Sequence, residues 1–191
     1  MGKQIHLKKV EYLFEKSLVV DFKSIARIIG SNSYARLLIY NLLKKNKIKK
    51  LGKGYYTKYD ENSLAVFAFK PAYLGLQCAL SHFDLWEQET IPVIITTKKI
   101  RRGLRKVFGT NILIRNINNK YFFGFKFEEE GNFYLPYSDI EKTFIDMVVF
   151  NQKVDDDSLK NIKKTVNNKI LENYLKKYSS KMREKIRKKL R

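Results

Sequence analysis

The Gly-Lys-Gly step at 52–54 lets the chain reverse between two short runs, KIKKL and GYYTKY, that favour extended structure. The resulting lysine-rich ribbon, NKIKKLGKGYYTKY at 46–59, follows a series of helical segments, and few small folds have that order. IHLKKVEYLFEK carries apolar residues at 7, 10, 13 and 14, the spacing of one helix face. VVDFKSIARIIG predicts a short helix capped by Asp21, with Ile25, Ile28 and Ile29 inward and Gly30 ending it. SNS turns the chain, and Asn32 or Ser33 is expected to cap YARLLIYNLLKKNK. That third helix ends in lysines, as the negative end of a helix dipole favours. Helix, helix, tight turn, helix, hairpin is the order of a winged helix-turn-helix.

The rest of the chain changes pattern. A helix is predicted from about Pro71 to His82, with proline tolerated in its first turn. IPVIITTKK reads as a buried strand. TNILIRNI, KYFFGFKFEE and NFYLPYS read as further strands, separated by turns at Asn118-Asn119 and Glu130-Gly131. Ser138 and Glu141 stand at capping-box spacing before a helix. VDDDSLKNIKKTVNN starts another with acids at its N-terminal end, and KILENYLKKYSSKMREKIRKKLR continues as a very basic helix. Ile170, Leu171, Tyr174, Leu175 and Tyr178 form its apolar stripe. The expected fold is α+β: an N-terminal winged helix-turn-helix over 1–62, then a small mixed domain over 63–191 with an antiparallel sheet and C-terminal helices.

Charge is segregated. Residues 1–60 hold 14 Lys/Arg against 4 Asp/Glu, residues 61–159 hold 12 against 13, and residues 160–191 hold 13 against 2. Two basic ends around a near-neutral middle favour a polyanionic partner, nucleic acid ahead of membrane, because neither end pairs its charge with an apolar face rich in Trp or Phe. One cysteine, Cys78, excludes a disulfide framework. No stretch reaches the roughly 18 apolar residues of a spanning helix and no apolar signal core opens the chain, so a soluble cytoplasmic protein is expected.

On a helical wheel, Ala35, Leu38, Ile39 and Leu42 fall on one arc and should face the core. The opposite arc holds Leu37, Tyr40, Asn41 and Lys44. A helix in a major groove reads bases mainly with its N-terminal residues, so Ser33, Tyr34, Leu37 and Asn41 are the base-edge candidates. Asparagine can pair with adenine through two hydrogen bonds, and leucine can meet a thymine methyl. Lys44, Lys45, Lys47, Lys49, Lys50 and Lys53 are the phosphate candidates. The same face could instead contact protein or RNA, and the lysines could be solvated.

Catalytic readings find little support. Cys78 and His82 share a helix face, but no orienting carboxylate is evident beyond Asp84. EEE at 128–130 and DDD at 155–157 are explained by a strand-end turn and a helix N-terminus. Lys126, Glu128 and Glu130 alternate along a strand without the partner aspartate of a metal-dependent nuclease. No catalytic residue, metal site or cofactor is expected, and a nuclease stands as the enzyme alternative.

Motif order carries a resemblance. The wing with Gly54–Tyr56 is followed by AYLGLQCALSHFDL over Tyr73–Leu85, then the strand Pro92–Thr97, then the helix start Glu141–Asp146. This series resembles the AbiEi family of antitoxins and transcriptional regulators along nearly the whole chain. Cys78 stands where that family has a small residue, and His82-Phe83-Asp84-Leu85 lacks its glycine. The resemblance implies the antitoxin of a type IV toxin–antitoxin pair. Its winged helix would bind double-stranded DNA at the operon promoter as a repressor. Its C-terminal domain would counter an adjacent nucleotidyltransferase-like toxin without a stable complex. A winged-helix regulator unlinked to any toxin is the alternative.

Overall fold

The computed structural model describes residues 2–190 as two compact units. The first comprises residues 1–68 with 106–110, and the second residues 69–105 with 111–191. The first unit thus runs past the expected border at 62 and takes in a segment from far downstream.

In the first unit the order is α1 (Gly2–Lys16), β1 (Val20–Asp21), α2 (Phe22–Ile29), α3 (Asn32–Lys44), β2 (Lys49–Gly52) and β3 (Tyr55–Thr57). This is a winged helix-turn-helix. The Asp21 side chain caps α2 by accepting from the Ser24 N–H at 3.0 Å, and Gly30 ends it at φ +75°. The cap of α3 is Ser31, one residue before the expected pair. Ser31 keeps extended backbone, and its hydroxyl accepts from the Tyr34 N–H at 3.3 Å. The wing is a three-stranded sheet of order β1-β3-β2 rather than a two-stranded ribbon. Val20 pairs with Tyr56, and the Phe22 N–H donates to the Gly54 carbonyl at 2.8 Å. Val10, Phe14, Val20, Ile25, Ile29, Ala35, Leu38, Ile39, Leu42, Ile48 and Tyr56 form one core cluster, which fastens the wing to the helices. A 3₁₀ helix, Asn62–Phe69, follows.

The second unit centres on a six-stranded sheet of order β6-β7-β5-β4-β9-β8. Its strands are β4 (Ala72–Leu74), β5 (Val93–Thr96), β6 (Gly103–Val107), β7 (Thr110–Asn116), β8 (Phe125–Glu130) and β9 (Phe133–Ser138). The hairpin tip at 106–110 belongs to the first unit. Pairs β4–β5 and β8–β9 are antiparallel, while β4–β9 and β5–β7 are parallel, so the sheet is mixed. The helix expected from Pro71 begins only at Gln77 as α4 (Gln77–His82). Residues 72–74 are instead a strand buried between two neighbours, and so short an apolar run has no period to reveal it. The turn at Asn118-Asn119 does not close a hairpin. The Asn118 side chain caps a 3₁₀ turn, Asn119–Tyr121, and β7 and β8 lie far apart in the sheet. Glu130 and Phe133, by contrast, flank a two-residue hairpin loop.

Four helices complete this unit: α5 (Ile140–Val149), α6 (Asp156–Thr165), α7 (Asn168–Leu175) and α8 (Ser180–Leu190). Asp139, not Ser138, caps α5, accepting from the Lys142 N–H at 2.7 Å. Ser138 is the last residue of β9, and Glu141 turns away to accept from the Asn167 N–H at 2.7 Å. The basic helix expected over 169–191 is broken into α7 and α8, where Tyr178 turns inward and the Ser179 hydroxyl accepts from the Met182 N–H at 3.4 Å.

Candidate nucleic-acid interface

In α3 the apolar arc is buried as its period dictates: Ala35, Leu38, Ile39 and Leu42 all face the core. Core packing therefore fixes which residues point outward. Ser33, Leu37, Tyr40, Asn41 and Lys44 are exposed, and Tyr34 is half-buried with its ring edge-on to His6 at 5.9 Å. Leu37 and Tyr40 keep 54% and 61% of their surface open, so two large apolar side chains face solvent beside an asparagine. All four base-edge candidates thus lie on the accessible side or flank of one helix.

The six phosphate candidates divide. Lys47 Nζ is 2.7 Å from Glu11 Oε1 of α1. Lys49 is ion-paired with Asp60, and its ammonium stands 6.0 Å from the Phe108 ring centre. Lys44, Lys45, Lys50 and Lys53 are exposed and make no ion pair among the described residues. Glu11 lies 36 residues from its lysine, so spacing alone could not reveal it, whereas Asp60 is 11 residues from Lys49 and stands just past the paired strand β3. The wing turn itself is shaped by Gly54, at φ +79°, with a bulge between Lys50 and Gly52.

The second unit assembles the residues set aside as catalytic. His82 stacks on Tyr137 with ring centres 4.1 Å apart, and its Nδ1 lies 3.9 Å from Glu130 Oε2. The Tyr137 hydroxyl donates to that same carboxylate oxygen. Burial, with the nearby Cys78 thiol and Glu130, drives the Tyr137 phenol far above its ordinary range. The orienting carboxylate near His82 is therefore Glu130, not Asp84, delivered by the β8–β9 hairpin. It serves the tyrosine, and the buried Cys78 borders that phenol too, so the group reads as a satisfied core cluster.

A second buried network lies on α5. Lys142 and Asp146 are both 0% exposed and paired, and the Tyr73 hydroxyl donates to Asp146 Oδ2 at 2.7 Å. Burial pushes the lysine down and the aspartate up, each against the attraction of the other. Gly124, at φ +68°, lets the chain pass over this pair: a Cβ there would come 2.8 Å from Lys142 Cβ. Among the described residues no group of three His, Cys, Asp or Glu side chains could hold a metal ion, and no helix is long and apolar enough to cross a membrane.

No protein-family model and no curated protein sequence matches the chain. By fold it is similar to the crystal structure of the RV2827C protein from Mycobacterium tuberculosis. That likeness has a TM-score of 0.62 at 10% identity and covers 92% of this chain and 72% of the other.

Proposed function

We propose that the chain is a duplex-DNA-binding transcriptional regulator that reads bases with the outward face of α3 and lays its wing along the phosphate backbone. The observation that carries this reading is the division of α3. Its buried arc leaves Leu37, Tyr40 and Asn41 exposed together, on a winged unit whose Lys44, Lys45, Lys50 and Lys53 make no ion pair among the described residues. The finer reading, an antitoxin and promoter repressor of a type IV pair acting in the cytoplasm, rests on the resemblance in motif order.

The test is binding of the full chain to its own promoter duplex, followed by anisotropy in competition with unrelated duplex. Asn41→Ala should lower the preference for the promoter by about 1–3 kcal/mol while leaving unrelated duplex unaffected. Lys50→Ala with Lys53→Ala should weaken both duplexes alike and flatten the salt dependence by up to about two units. Absence of any duplex preference would favour the protein-contact reading of Leu37 and Tyr40. The antitoxin reading is tested separately, by whether co-expression of the chain relieves growth arrest caused by a nucleotidyltransferase-like toxin encoded beside it.

A further inference from the structure

The strand β8 ends the six-stranded sheet, and its outer edge is long, unbulged and without proline: its pairing to β9 runs in unbroken register from Phe125 to Glu130. Which of its backbone groups point outward follows from the hairpin. Beyond the strand ends, the Asp139 N–H donates to the Gly124 carbonyl at 2.9 Å, so residue 124 faces β9. Backbone direction alternates along an antiparallel strand, so 126, 128 and 130 also face β9, and 125, 127 and 129 turn their N–H and C=O groups outward. Edges of this kind are templates for another strand unless something blunts them.

The side chains select the partner. Lys126 keeps 67% of its side chain exposed and is ion-paired with Glu128 of its own strand at 2.7 Å. Phe127 is 58% exposed, and Tyr134, across from Glu129 on the same face, is 60% exposed. On that face Pro71, Phe122, Phe125, Phe127 and Pro136 line a shallow apolar groove of about 400 Å³. The charges Lys126 and Glu128 flank Phe127 symmetrically with opposite sign. An antiparallel copy of the same strand sets each of these charges opposite its counter-ion as well as beside it.

We propose that β8 is a self-pairing edge: two copies of this chain join β8 to β8 about a two-fold axis at Phe127. A two-fold pairing through outward-facing groups centres either on a hydrogen-bonded position, 125, 127 or 129, or on a close position, 126 or 128. Centring on a close position sets Lys126 or Glu128 directly against its own copy, and like charges repel. Centring on Glu129 sets Glu128 against the partner's Glu130, and like charges repel. Centring on Phe125 leaves Glu128 and Glu130 beyond the strand overlap. Centring on Phe127 sets Phe127 against its copy and Phe125 against the partner's Glu129. These three hydrogen-bonded pairs supply about six backbone bonds. The close, non-hydrogen-bonded positions then place Lys126 opposite the partner's Glu128, twice. Glu130, engaged with Tyr137 and His82, faces the partner's Gly124 and meets no side chain. One strand pair with an aromatic step is a small interface, so association belongs on the order of micromolar. The +20 charge of each copy opposes it until salt screens it.

Sedimentation equilibrium of the full chain across the micromolar range, near physiological salt, tests this. The wild type should form dimers. Lys126→Glu and Glu128→Lys should each weaken the dimer at least about tenfold, because two attractions become two repulsions. The double variant K126E/E128K should restore the dimer to within about threefold, since the pairs re-form with signs exchanged. Phe127→Pro removes an outward N–H and spares the β8–β9 ladder, so it should abolish dimers while circular dichroism stays unchanged. A wild type that stays monomeric throughout would overturn the proposal. So would a dimer indifferent to Phe127→Pro, or single swaps that the double swap fails to rescue.

Discussion

Glu11→Gln should make the protein bind duplex DNA more tightly. In the wild type, Lys47 is held by Glu11 at 2.7 Å, with the two side chains 54% and 35% exposed. A lysine occupied by its own carboxylate is withheld from phosphate. The amide of glutamine keeps the shape of the glutamate but releases the charge. Each additional phosphate neutralised steepens log K against log salt by about 0.9. Near about 0.1 M salt that corresponds to about eightfold tighter binding. The fold loses little, because an exposed pair contributes about 0–1 kcal/mol. The assay is anisotropy of a labelled duplex over a salt series, run beside Glu15→Gln. Glu15 is exposed on the same helix and in no ion pair among the described residues, so its variant removes the same charge without freeing a described lysine. Glu11→Gln should gain nearly a full unit of slope over that control. Equal slopes for the two variants would refute the assignment of Lys47 to the backbone-binding set.

Asp21→Ala should cost about 0.5–2 kcal/mol at neutral pH, measured by urea unfolding, since it removes the α2 cap. Burial raises the Asp21 carboxyl, but the Ser24 N–H and hydroxyl outweigh it and hold it below 3.8. Its contribution is therefore present above 3.8 and lost as pH falls through the lower folded value, so wild type and variant should converge in acid. Lys142→Met should destabilise by about 3–5 kcal/mol in thermal unfolding, because Asp146 is left buried without its counter-ion and with the Tyr73 hydroxyl as its remaining hydrogen-bond donor among the described side chains, and adding Asp146→Leu should recover part of the loss. Gly30→Ala should cost about 1–2 kcal/mol through backbone strain alone, since its φ is +75° and nothing lies within 4 Å of an added Cβ.

Where periodicity was long enough, the sequence determined the outcome. Four turns' worth of spacing in α3 fixed Ala35, Leu38, Ile39 and Leu42 as the buried arc, and with them the outward face. Glycine and aspartate at the ends of α2 read correctly because capping is local chemistry. The missed strands share one cause. The two residues of β1, the three of β4 and the pairing of β6 to β7 take their identity from partners distant in sequence, and a short run carries no period of its own. The lysines were visible as charges, but which are engaged depends on Glu11, brought near by tertiary packing, and on Asp60, brought near by the wing hairpin. Glu130 escaped notice beside His82 for the same reason: the β8–β9 hairpin delivers it.

The excursion at 106–110 bears on synthesis. The wing strands and α3 leave the ribosome early, yet Phe108, which stands over Lys49, and Thr110, whose hydroxyl accepts from the Asn62 amide, are made about fifty residues later. The contacts of Lys49 and Asn62 with 106–110 therefore form only after translation is well past residue 68. Until then Lys49 and Asn62 lack these late-arriving neighbours, and a nascent chain halted before residue 106 would carry a wing with its helices in place but that side unfinished.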